Sequence, residues 1–221
     1  RKLSQIKPSL IERFKAYRTQ CETAPNGSRG GKEKRIGANA TTINFEIGVL
    51  RSFFNLAIEW GYLSKNPTKG IRKLKELDKK KPRFLDQDEC SRLLEACQGD
   101  LREIFFTFLN TGMRRGELEN LEWRDVDFKK KIISIRAKAD WRPKTGERDI
   151  PLNRDMISLL EARKKKKRGR YVFASKNGKR VGMDLRMKIV QIARRAGIEG
   201  LSRVHDLRHT FASHLVMSGV D

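Results

Sequence analysis

The chain has 221 residues, and its fifty Lys and Arg against twenty-seven Asp and Glu leave a formal charge of +23 at pH 7. That excess suits a polyanionic partner, and the length is enough for one large domain or two modest ones, each with a real core. No apolar run approaches the roughly 18 to 20 residues of a transmembrane helix and no signal-peptide core opens the chain, so a soluble, cytoplasmic protein without a membrane partner is expected.

The first predicted helix opens at Pro8 and runs through Leu10, Ile11, Phe14 and Tyr17. Pro25 to Lys34, with Asn26-Gly27-Ser28 and Gly30-Gly31, then reads as a loop. Arg29, Lys32, Lys34 and Arg35 lie on or beside it, as solvated charges or as phosphate contacts. From Thr41 a long helix is signalled by Ile43, Ile47, Leu50, Phe54 and Ile58 at three- and four-residue intervals, ending at Gly61 and Pro67. Phe53 and Trp60 adjoin that stripe and read as packing residues, and residues 1–75 are expected to form a small helical bundle. Residues 76–83, with Lys79, Lys80 and Lys81 before Pro82, read as a basic linker.

The second module, residues 84–221, begins with Asp86 as a helix cap and Glu89 completing a capping box. Helices are expected at 87–97 and 101–110, and a shorter one from Gly116 to Leu121 after the interruption at Gly112. Strands follow at Ile132–Ala137 and Arg148–Leu152, forming a hairpin across a turn-rich stretch. Trp123 and Trp141 read as core or hairpin packing. Asn153 starts another helix, Tyr171-Val172-Phe173 is a brief extended piece that looks buried, and helices at 183–196 and 206–218 close at Gly197 and Gly219. The fold class is thus mainly α with a small antiparallel β-sheet. Cys21, Cys90 and Cys97 lack metal-ligand spacing, so free thiols and no metal are expected; on one helix Cys90 and Cys97 would stand about 10 Å apart, beyond disulfide reach.

Cleaving a phosphodiester needs cations on the nonbridging oxygens, a nucleophile, and a proton for the departing oxygen. Arg114 follows the Gly112 break at a helix entrance, where backbone amides also favour an anion. Arg208 stands one helical turn after His205, so the two share a face. All three histidines, His205, His209 and His214, fall in the last seventeen residues.

Thr111-Gly112-Met113-Arg114-Arg115-Gly116-Glu117-Leu118 and His205-Asp206-Leu207-Arg208-His209-Thr210-Phe211-Ala212-Ser213 together resemble the two signature boxes of the tyrosine recombinases, the phage integrase family. Lys144-Thr145-Gly146 followed by Arg148-Asp149-Ile150-Pro151-Leu152 resembles the family's β-hairpin lysine segment. The resemblance implies a helical, SAM-like core-binding domain before a mixed α+β catalytic domain. It implies that Arg114 and Arg208 clamp the scissile phosphate, that Lys144 is the general acid to the 5′ oxygen, and that His205 bonds the phosphate or assists proton transfer. Glu117 would brace Arg114, His209 would support the site, and Arg115 would touch nearby DNA or solvent. Arg148 reads equally as a phosphate contact and as a strand-face ion pair.

What the family does with these groups is site-specific cleavage and rejoining of double-stranded DNA through a 3′-phosphotyrosyl intermediate, without cofactor or metal, as a tetramer on paired sites, with accessory DNA-bending proteins as further partners. Tyr17, Tyr62 and Tyr171 all precede the second box, and the chain ends thirteen residues after Arg208. The expectation is therefore a C-terminally truncated catalytic domain that binds duplex DNA but lacks the nucleophile. The alternatives are a noncatalytic DNA-binding regulator on the same scaffold and a generic RNA binder.

Overall fold

The computed structural model describes residues 3–23, 35–76, 82–167, 169–175, 177–182 and 184–219, and the chain divides into two compact units, Arg1–Lys80 and Lys81–Asp221. It is mostly helical with a small antiparallel sheet, as the sequence predicts. In the first unit, α1 (Pro8–Gln20) starts at its proline, where the missing amide costs no helical bond. Helix α2 (Ala40–Glu59) is capped by Asn39, whose side chain accepts from the Thr42 amide at 2.8 Å. Ile11 of α1 meets Ile43, Ile47 and Phe54 of α2 and Ile71 of the following coil in one core. That coil folds back because Asn44 bonds both backbone groups of Leu74, at 3.0 and 2.8 Å, and Lys15 donates to the Arg72 carbonyl at 2.8 Å.

Among the expectations for this unit, the packing of Phe53 and Trp60 is corrected. The described residues of this unit hold α1, α2 and a coil that folds back on them, partly through side chains. A two-residue antiparallel pair, β1 (Glu22–Thr23) with β2 (Arg35–Ile36), brackets the predicted loop. Phe53 and Trp60 are 49% and 66% exposed, not packed: each residue advances about 100° around the helix, which turns Phe53 out of the stripe that buries Phe54.

In the second unit, α3 (Gln87–Glu95) carries the predicted Asp86–Glu89 capping box. Cys97 falls beyond its end, and burial pushes the thiols of Cys90 and Cys97 up to about 11. Helix α4 (Asp100–Thr111) runs through the core with Ile104, Phe105 and Phe108 buried, and packs against α3, α6 (Arg154–Lys165) and α8 (Val204–Met217). The short α5 (Arg115–Glu119) follows. Strands β3 (Val126–Asp127), β4 (Ile132–Ile135) and β5 (Arg148–Pro151) form an antiparallel sheet in that order, with Ile133 opposite Ile150 on the buried face. Strand β3 was not foreseen, since two residues carry no alternation.

Asn153 caps α6 through the Met156 amide at 2.8 Å, and Asp184 caps α7 (Leu185–Arg195). Helix α8 starts at Val204, two residues before the expected Asp206, which puts His205 inside its first turn. Tyr171, Val172 and Phe173 are buried as expected, as is Trp123; Trp141 is half-buried against the same core. Among the described residues no helix is long and apolar enough to cross a membrane, and no group of three or more His, Cys, Asp or Glu could hold a metal ion.

Candidate active site

Gly112 ends α4 with φ +56, a left-handed conformation that favours glycine. A Cβ there would stand 2.3 Å from the Phe211 ring, so the missing side chain also lets α8 lie against the end of α4. Three contacts fix α8. Thr210 accepts from the Leu85 amide at 2.9 Å, His214 bonds the Leu85 carbonyl at 2.8 Å, and the guanidinium of Arg208 donates to the Gly112 carbonyl. The second-box helix is thereby held against the turn that precedes Arg114.

Arg114 stands immediately before α5. Its backbone amide, expected to face an anion, is instead taken by Glu117 at 2.8 Å, because the carboxylate three residues on reaches back across the first turn. Glu117 is 2% exposed and also receives Arg114 Nη1 at 3.1 Å and both terminal nitrogens of Arg148, at 2.8 and 2.6 Å. The same Arg114 Nη1 donates to Thr145 Oγ1 at 2.9 Å. Burial alone would push the Glu117 carboxyl up, but the hydrogen bonds and charges of Arg148 and Arg114 outweigh it and hold its pKa below the ordinary value. Of the two readings left open for Arg148, the structure shows the ion pair.

Arg208 shows the opposite balance. Burial and then the charges of Arg114 and Arg148 lower its pKa, with Glu117 opposing. Among the described residues, Arg114 and Arg208 each commit only Nη1, which leaves Nε and Nη2 of both forks free for an anion. His205 is exposed on the first turn of α8, near enough to Arg208 and Arg114 for their charges to reach it. Partial loss of solvent, then the charges of His209, Arg208 and Arg114, pull its pKa below 6.5, so its imidazole is neutral at pH 7. The His209 ring stands edge-on to it, 4.7 Å between centroids.

The structure therefore brings Arg114, Arg208, His205 and Glu117 together, with His209 beside them. Lys144 is exposed in the turn between β4 and β5 and has no hydrogen-bond or ion-pair partner among the described residues; its neighbour Thr145 makes the contact to Arg114. Arg115 pairs with Glu119 at 2.6 Å. Arg35 lies in β2, while Arg29, Lys32, Lys34, Lys79, Lys80 and Lys81 lie outside the described residues. Sequence reasoning missed Thr145 and left Arg148 undecided. Strand alternation carried a signal for the second, since Arg148 shares a face with the buried Ile150.

The sequence profile of the phage integrase family matches residues 83–221. Tyrosine recombinase XerC of Thermodesulfovibrio yellowstonii is 30% identical over 240 residues, covering 99% of this chain and 78% of that protein. The integrase of Salmonella phage P22 is 31% identical over 205 residues, covering 86% of this chain and 49% of the phage protein, so the chain spans about half of that relative. The Tn1549 transposon integrase in complex with transposon right end DNA aligns over 99% of this chain and 75% of its own, with a TM-score of 0.74 at 21% identity. A lambda integrase dimer bound to a COC′ core site aligns over 100% and 77%, with a TM-score of 0.71 at 20% identity; at such identities the likeness is one of fold.

Proposed function

The chain belongs to the phage integrase family, and from that membership we propose that it is the DNA-binding and phosphate-clamping part of a site-specific recombinase. The observation that carries the proposal is the convergence of Arg114 and Arg148 on one buried carboxylate, Glu117, with Arg208 held on the adjoining Gly112 carbonyl and close enough to feel all three charges. Such a cluster is costly without an anion, and an anionic phosphodiester offsets the cost. Residues 1–75 act as the core-binding domain, 76–83 as the linker and 84–221 as the catalytic domain, bound to duplex DNA in the cytoplasm. The full-length protein works as a tetramer on paired sites, with room for accessory DNA-bending proteins.

In cleavage, a tyrosine oxygen attacks phosphorus, and the bond to the 5′ oxygen breaks. Arg114 and Arg208 hold the nonbridging oxygens through their free Nε and Nη2 groups, and Lys144 gives its proton to the departing 5′ oxygen. His205 bonds the phosphate. Tyr171 is buried in the core and Tyr17 and Tyr62 belong to the first unit, and none of the three is assigned the attacking role.

Rejoining can be tested without that tyrosine. Duplex DNA is first selected from a random pool by binding, then one strand is given a 3′-p-nitrophenyl phosphate beside a free 5′-hydroxyl. The 5′ oxygen attacks phosphorus, its proton passes to Lys144 in the neutral amine form that a cleavage step would leave, and p-nitrophenolate leaves with its electron pair. The expected result is p-nitrophenolate release by the wild type and its loss in Arg208→Ala and Arg114→Ala, with DNA still bound. Binding without release in the wild type would instead identify a noncatalytic regulator.

A further inference from the structure

We infer that Thr145 is a positioning residue: its hydroxyl docks the tip of the β4–β5 loop on Arg114 and so delivers Lys144 to the phosphate that Arg114 holds. The inference rests on the proposed function and deepens it.

The β4–β5 loop comprises residues 136–147 and is fixed at its base. Lys138 is buried against Asp125 at 2.5 Å and closes a short backbone bridge with Trp141, while Glu147 accepts from the Ala137 amide at 2.8 Å. Its tip is different. Lys144 is exposed and has no partner among the described residues, and Gly146 turns the chain with φ +85 into β5. Between them, Thr145 Oγ1 makes the tip's one hydrogen bond to the pocket among the described residues, 2.9 Å from Arg114 Nη1. A lysine on a long flexible stem is placed by its backbone, so the position of residue 144 is set by whether residue 145 is docked.

The partner of Thr145 gives this contact its meaning. Arg114 Nη1 is held from the other side by Glu117 at 3.1 Å, and Glu117 is itself gripped by Arg148 at the start of β5. The arginine that binds phosphate is thus the fixed point on which the loop carrying the proton donor closes. A valine at 145 keeps the shape and β-branching but loses the bond; a serine keeps the bond.

The experiment uses the rejoining assay on selected duplex DNA, at saturating protein in a single turnover. Thr145→Val is expected to slow p-nitrophenolate release about ten- to a hundredfold, within the range that general acid–base catalysis supplies. DNA affinity should change less than about threefold, and Thr145→Ser should restore the rate. The deciding comparison is the double variant. If Thr145 acts through Lys144, then Thr145→Val combined with Lys144→Ala is no slower than Lys144→Ala alone. Effects that multiply would place the role of Thr145 on Arg114 or on the fold and overturn the inference, as would an unchanged rate in Thr145→Val.

Hydrogen exchange at the amides of Arg142 and residues 144–147 supplies a measurement independent of activity. It should accelerate at least about threefold in Thr145→Val and return to the wild-type rate in Thr145→Ser; equal exchange in all three proteins sinks the latch. A wild type that releases no p-nitrophenolate would fail the proposed recombinase chemistry, and the exchange measurement alone would then decide the docking.

Discussion

Glu117→Gln probes the site most directly, because it removes one negative charge and almost no volume. The carboxylate is 2% exposed and takes three guanidinium contacts between 2.6 and 3.1 Å, besides the Arg114 amide at 2.8 Å. Glutamine keeps one acceptor oxygen but turns an amide nitrogen toward a guanidinium, donor against donor. Removing one partner of a buried pair costs about 3–5 kcal/mol. The side chains of Arg114 and Arg148 are 27% and 30% exposed, so water recovers part of that, and about 2–3 kcal/mol remains. For a unit of this size that is a fall in Tm of about 4–12 °C, read by calorimetry at pH 7 and low salt.

Two features separate this account from a generic core defect. Sulfate should raise the Tm of Glu117→Gln more than that of the wild type, because the variant leaves three guanidiniums without a counter-charge. The pH dependence has a definite sign. The folded pKa of Glu117 lies below its ordinary value of 4.5, so its stabilisation is fully present above that pH and is lost as pH falls through the folded pKa. The gap between wild type and variant should hold from pH 7 to about 5 and then close. A Tm loss below about 1 °C, or a gap undiminished in acid, refutes the reasoning.

Gly112→Ala must place a Cβ 2.3 Å from the Phe211 ring at φ +56, and a loss of about 1–3 kcal/mol in urea denaturation is expected; no loss would mean that α8 does not rest on this turn. The His205 ring, followed by NMR, should titrate below 6.5, and His209→Phe should move its midpoint upward by removing a neighbouring charge; an unmoved midpoint rejects the coupling. As unfolded His205 takes up its proton near 6.5 and the folded ring does so at lower pH, this group favours unfolding as pH falls through that window. DNA affinity should fall steeply with salt, with a logarithmic slope of about 0.9 per phosphate neutralised; a flat profile would remove the case for backbone contact.

Local chemistry was the legible part of this chain. Asp86 with Glu89, Asn153, Pro8 and Gly112 each act within one turn of their own position, and each cap or break appears where the residues alone place it. The gathering of Arg114 and Arg208 is another matter. Nothing in the spacing of residues 94 positions apart requires them to meet, and only the likeness of the two boxes to a known family suggested it. Thr145 stands in the Lys144-Thr145-Gly146 segment that resembles the family's, but its bond to Arg114 carried no signal, since a threonine in a turn is ordinary until its partner is known. Phe53 and Trp60 adjoin the apolar stripe in sequence but not on the helix surface, so their place in the chain does not bury them. What stayed hidden was set by tertiary contact, which neither propensity nor period encodes.

The charge count of the pocket argues for the step it favours. Arg114, Arg148 and Arg208 against Glu117 leave two positive charges, besides the one that Lys144 gives up with its proton. A phosphodiester carries one negative charge and gathers a second as phosphorus becomes five-coordinate, so the cluster matches the transition state better than the bound substrate. On this view Arg148 contributes charge through Glu117 although it need not touch DNA. Arg148→Leu should cut the rejoining rate about a hundredfold while leaving DNA affinity within a few-fold, and Arg148→Lys tells charge from geometry. If charge is what matters, lysine keeps most of the rate. If the two-pronged hold on Glu117 matters more, lysine fares no better than leucine, and the charge-matching argument falls while the fixed placement of Arg114 survives.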